Sequence, residues 1–118
     1  MLCITLNFSV GAAESINKLN KEDAEKICQA IYLAEGGSRA KVPYGILSVK
    51  TKDPKQVCLN TIHNNYLRWQ KDGRPSNFII FLGDRYCPPS SDPNGNKNWK
   101  KNVTYFLGKD FVKNRLTK

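Results

Sequence analysis

The chain holds a single histidine, His63, and no Cys-x-x-Cys pair. A zinc site needs about four ligands drawn from cysteine, histidine and carboxylates at short spacings. No such set is present, so neither a metal nor a cofactor is expected. Internal repeats, low-complexity segments and interdomain linkers are also lacking, and 118 residues suit one domain. No apolar run is long enough to cross a membrane. The stretch from Leu2 to Val10 is uncharged but too short. It precedes small residues that fit an export cleavage site, Val10-Gly11-Ala12 or Gly11-Ala12-Ala13. Residues 1–13 are therefore expected to be an export signal or its remnant. Residues 14–118 are expected to form the folded domain and to work outside the cytoplasm as a monomer. Acidic residues are scarce as well, 10 against 19 basic ones, for a net charge of +9. That surplus suits an acidic partner such as nucleic acid, an anionic membrane surface or a cell-wall polymer. A solvated Lys-rich surface accounts for it equally well. No nucleic-acid-binding motif accompanies the charge, so nucleic acid is not the expected partner.

What is present is mostly helical pattern. Asn20 can cap a helix with Glu22 and Asp23 in its first turn, and Ala24, Ile27, Cys28, Ile31, Ala34 and Glu35 recur at helical spacing. Gly36 or Gly37 supplies the stop. Asp53 and Pro54 open a second helix, with Val57, Cys58, Ile62, Asn65, Tyr66 and Trp69 on one face and Gly73 at its end. The apolar run Phe78–Leu82 after a Ser76 cap reads as a short buried helix, with a strand as the alternative. Residues 88–96 read as a loop, and 96–111 as a last helix with Trp99, Val103, Phe106 and Leu107 inward. The basic tail 113–118 reads as frayed. The fold class is mainly α, a small helical domain with short connections.

Without residues 1–13, three cysteines remain, Cys28, Cys58 and Cys87. One pair could oxidise and leave one thiol free. Cys28 and Cys58 fall on apolar helix faces, where cysteine usually serves as a small core residue. His63 follows Cys58 by five positions and does not face it, which disfavours a Cys-His nucleophile. His63 is expected on an exposed helix face.

The most informative residue is Glu35. It lies four residues after Ile31 and seven after Cys28, on the apolar face of its helix at the last turn. Burial there would raise its pKa and keep it protonated near neutrality, as a proton donor to a leaving oxygen requires. The flanking glycines would open space for a substrate. The ordinary alternative is a carboxylate reaching solvent and pairing with Arg39 or Lys41.

Glu35-Gly36-Gly37 closing a helix, followed by Gly45-Ile46-Leu47-Ser48, resembles the first two motifs of the lysozyme-like lytic transglycosylases. In that family a Glu-Ser-Gly ends a helix and a Gly-Leu-Met-Gln stretch follows. "FLGDRYCPPSSDPNGNKNWKKNVTYFL" is similar to the family's third region, with Tyr86 at the place of its glycan-side tyrosine. Trp99, Val103 and Phe106 fall on its closing helix. The resemblance spans residues 24–107. It implies a lysozyme-like fold with a substrate cleft, and cleavage of the β-1,4 bond between MurNAc and GlcNAc in peptidoglycan. It implies Glu35 as the sole catalytic carboxylate, with 1,6-anhydromuramyl products. Tyr44, Ser48, Asn64 and Tyr86 are the expected substrate-binding residues, Tyr44 and Tyr86 because they stand beside turns. Gly36 stands where the family has Ser, and Ser48 where it has Gln.

A hydrolytic muramidase would need a second carboxylate. Asp53 is a helix cap, Asp72 a helix end and Asp92 a loop residue. Asp84 is the one acid near a motif, beside Arg85 with which it could form an ion pair. A non-catalytic glycan binder and a basic nucleic-acid binder remain as alternative readings.

Overall fold

The computed structural model describes residues 16–45 and 53–117. Within them 73% of residues are helical and none is in a strand. The expectations for residues 1–13 and for Ser48 lie outside the described residues.

Helix α1 spans Lys21–Ala34. Asn20 Oδ1 accepts the Asp23 backbone N–H at 2.8 Å, which satisfies one of the unpaired donors at the helix start. Ala24, Ile27, Cys28 and Ile31 form its buried stripe. Helix α2 spans Pro54–Lys71, capped by Asp53, which accepts the Gln56 N–H at 3.0 Å. It buries Cys58, Ile62, Asn65 and Trp69. The Trp69 indole N–H donates to Ser76 O at 2.9 Å, so this fully buried side chain carries no unsatisfied donor.

Helix α3, Phe78–Tyr86, settles the apolar run as a helix. Phe78, Ile79, Leu82 and Gly83 are buried, a spacing that only a helical turn brings to one side. Its cap is Asn77, which accepts the Ile80 N–H at 2.9 Å, and not Ser76. The Ser76 hydroxyl instead donates to Asn77 O at 3.0 Å, while its own carbonyl holds Trp69.

The last helix begins earlier and ends earlier than the pattern suggested. Helix α4 spans Pro93–Leu107, and Gly108 (φ +91°) separates it from α5, Lys109–Arg115. Asp92 is its cap, accepting the Gly95 N–H at 2.9 Å, so residues 93–96 are helix and not loop. Trp99 and Val103 are buried as expected, but Phe106 is 45% exposed. The tail is not frayed through Leu116. Leu116 is 0% exposed, its carbonyl accepts the Phe78 N–H at 2.7 Å, and Arg115 pairs with Asp23 at 2.8 Å. Burying a leucine fully contributes roughly 1.5–3 kcal/mol, enough to hold a short helix in place.

The core sits where α1 packs on α4 and α2 while α3 packs on α4 and α2. Tyr66, Trp69 and Phe78 form its aromatic centre, with ring centroids 5.3–5.5 Å apart. Gly83 sets the approach of α3 to α4. A Cβ there would meet Lys100 Cγ at 2.7 Å and Trp99 Cε3 at 3.0 Å.

Candidate functional site

α1 ends at Glu35, whose N–H still donates to Ile31 O at 2.9 Å. Gly36 (φ +111°) and Gly37 (φ +60°) then reverse the chain through a 3₁₀ turn at Gly37–Arg39. L-residues with side chains rarely adopt such angles. A second turn at Pro43–Gly45 returns to α1, and Gly45 (φ +68°) comes to lie directly against the Glu35 carboxyl. A Cβ on Gly45 would overlap Glu35 Oε2.

Glu35 is half-buried, and desolvation raises its pKa above the ordinary value of 4.5. No ion pair reaches it among the described residues, so Arg39 and Lys41 do not hold it. It lines an open cleft of about 460 Å³. Val42 and Gly45 form the same wall, Tyr86 and Cys87 come from the end of α3, and Asp92, Asn98, Trp99 and Asn102 come from α4 and its cap.

The corner between α3 and α4 is held together by Asn96, a buried amide. Its Nδ2 donates to Cys87 O at 2.8 Å and to Asp84 Oδ1 at 3.0 Å, stapling the α3–α4 loop to α4. Tyr86 stacks on Trp99, centroids 5.0 Å apart at 23°. Its hydroxyl donates to Cys58 Sγ at 3.1 Å, away from the cleft, so Tyr86 offers the site its ring. Burial first, and then Cys58, pushes that phenol upward. Cys58 shares a hydrogen bond with Cys28 and is itself pushed upward by it and by burial. Both thiols are free and lie in the core behind the cleft.

The other expected binding residues are not gathered here. Tyr44, at φ +60°, packs its ring on Tyr32 at 5.0 Å instead of lining the cleft, although Val42 and Gly45 on either side of it do. Asn64 is exposed on α2 and lines a separate cavity of about 440 Å³ with Lys18, His63 and Leu67. His63 is half-buried there.

Asp84 also lies outside the cleft. Its partner is Lys100, at 2.7 Å, and not Arg85. The Lys100 ammonium, with Asn96 second, holds the Asp84 carboxyl below its ordinary 3.8. A depressed carboxylate stabilises the fold above its unfolded pKa and loses that contribution as pH falls through the folded one. The pair is half-exposed, so Asp84→Asn is expected to cost only a few tenths of a kcal/mol, on the order of a surface ion pair. The deficit should be present at pH 7 and shrink as pH falls below 3.8 through the lowered Asp84 value, which urea melts across an acid pH series will check.

Sequence reasoning missed Asp92, Asn98 and Asn102. For Asp92 a signal existed. Asp92-Pro93 repeats the Asp53-Pro54 cap signature. Among the described residues no helix is long and apolar enough to cross a membrane. No protein-family model, curated protein or solved structure matches the chain.

Proposed function

We propose that the chain cleaves the β-1,4 bond between MurNAc and GlcNAc in peptidoglycan, with Glu35 as its acid. The observation that carries this reading is the Glu35 carboxyl. It is half-buried, raised in pKa and free of ion pairs among the described residues, and it faces an open cleft against a residue with no side chain. The opposite wall presents the amides of Asn98 and Asn102 and the ring pair Tyr86–Trp99, groups suited to hydroxyl, acetamido and pyranose surfaces.

In the non-hydrolytic course, protonated Glu35 gives its proton to the glycosidic oxygen as the C1–O bond breaks. The muramyl C6 hydroxyl attacks C1, and its proton passes to the Glu35 carboxylate. A 1,6-anhydro ring closes, the acid is regenerated and no water is consumed. Digestion of purified peptidoglycan and mass analysis of the fragments tests this. Anhydromuramyl ends are the expected product. Binding to sacculi with no soluble fragments would leave only a glycan-binding protein.

A second reading, hydrolysis, is favoured by Asp92. It is the second carboxylate in the cleft, and α4 uses one of its oxygens as a cap. A carboxylate opposite the acid could activate water. Asp92→Asn keeps a good cap and removes the charge. If the course is non-hydrolytic, cleavage should stay within about threefold of wild type. A loss of roughly 10²-fold or more, together with reducing ends, would assign water activation to Asp92.

A further inference from the structure

Across α4 from the cleft runs a second, larger groove of about 640 Å³, bounded by Ile80 of α3, by Lys100, Lys101, Thr104 and Tyr105 of α4, and by Lys109. Tyr105 is 77% exposed and Ile80 39%. Lys100 is engaged by Asp84, whereas no ion pair among the described residues reaches Lys101 or Lys109. From Pro93 to Lys109 the chain carries four lysines and no acid, the nearest acidic residues being Asp92 before it and Asp110 after it. The groove therefore joins an exposed aromatic face to two uncommitted ammonium groups, a match for an anionic chain with some apolar body.

The position of the groove names the chain. Asn98 and Asn102 face the cleft, and Lys101 lies between them in sequence, on the adjoining flank of the same helix. A helix with its side chains is about 10–12 Å across, so the way over its surface to the adjoining flank, about a third of its girth, is roughly 10–13 Å. A peptide of about four residues, extended, reaches up to ~14 Å. A peptide branching from a sugar seated in the cleft can thus cross α4 and lay its carboxylates between Lys101 and Lys109.

We propose that this groove binds the carboxylate-bearing peptide carried by the muramyl residue of the substrate. This rests on the reading of the cleft as a glycan site, and it makes the preferred substrate peptide-substituted glycan.

The test compares glycan strands bearing their peptides with strands stripped of them by an amidase. For the Lys101→Gln/Lys109→Gln variant, KM on peptide-bearing strands should rise roughly 5- to 10-fold with kcat little changed, the loss expected for two exposed charge pairs. On stripped strands KM should not move. An equal rise on both substrates would reduce the lysines to general attraction, and no rise on either would remove them from binding; each overturns the proposal. Sedimentation with the Glu35→Gln variant separates the two levels of the reading. Binding of peptide-bearing over stripped strands supports the groove. Equal binding of both leaves the cleft and overturns the groove. Binding of neither overturns the glycan site itself. Lysine-dependent binding of duplex DNA with no discrimination between the strands would make the groove a nucleic-acid surface instead.

Discussion

Glu35→Gln is expected to lower glycan cleavage by roughly 10²–10⁴-fold, the range contributed by a positioned proton donor. The same variant should be as stable as the wild type at neutral pH or more so. The substitution keeps the shape of the side chain and removes a charge that the fold disfavours. Burial raises the Glu35 pKa above 4.5, so between pH 4.5 and the raised value the folded protein holds a proton that the unfolded chain has given up. For such a group the sign is definite. Its favourable contribution is complete below the unfolded pKa and is lost as pH rises through the folded one. Thermal melts should therefore show the variant gaining on wild type from about pH 4.5 upward and matching it near pH 3. An activity loss accompanied by a lower Tm at neutral pH would mean that Glu35 is a structural residue. Equal residual cleavage in the two proteins would end the enzymatic reading.

On the proposed reading the same shift sets the pH dependence of cleavage. An acid works only while protonated, so cleavage should decline with rising pH around the raised Glu35 pKa and not around the value of an exposed glutamate. Among the described residues Glu35 has no cationic partner that would pull its pKa back down. The decline should thus be insensitive to Arg39→Gln or Lys41→Gln.

How far residues announce such a site depends on which interaction places them. Glu35 was legible because one helix period and two glycines put it there, and both are local. The caps at Asn20 and Asp53 were legible for the same reason. The choice between Ser76 and Asn77 as the α3 cap was not, since either can cap. It follows from Trp69, 7 residues upstream, taking the Ser76 carbonyl. Leu116 looked like part of a basic tail, and only the floor under Phe78 makes it core. Phe106 looked like core and is half-exposed, at the mouth of a shallow cavity that it lines with Leu33, Leu107 and Phe111 of α5. The cleft wall opposite Glu35 was the hardest part to foresee. Asn98 and Asn102 belong to the polar side of an amphipathic helix, and periodicity reads such a side as solvent-facing. Only the packing of α1 on α4 turns it into one wall of a cleft.

Gly45→Ala should reduce cleavage by about 100-fold, through position alone and with the acid still present. Two costs act at this residue. The first is conformational. Gly45 sits at φ +68°, where an L-residue is disfavoured by about 1–2 kcal/mol. The second is specific, because the new Cβ would occupy the space of Glu35 Oε2. The carboxyl must then swing away, and a displacement of about 1 Å in a reacting group can cost on the order of 10²-fold. Gly73 separates the two costs. It lies at φ +84° with nothing within 4 Å of its would-be Cβ, so Gly73→Ala carries similar strain and no collision. Both variants should lose about 1–2 kcal/mol in urea denaturation, and only Gly45→Ala should lose its activity. Displacing the carboxyl toward solvent also relieves its desolvation, so whatever cleavage Gly45→Ala retains should fall off at lower pH than in the wild type. A parallel loss of activity in both variants would trace the effect to backbone strain. A loss confined to Gly45→Ala, with the pH profile moved toward acid, would show that the absence of a side chain at residue 45 keeps Glu35 in place and protonated.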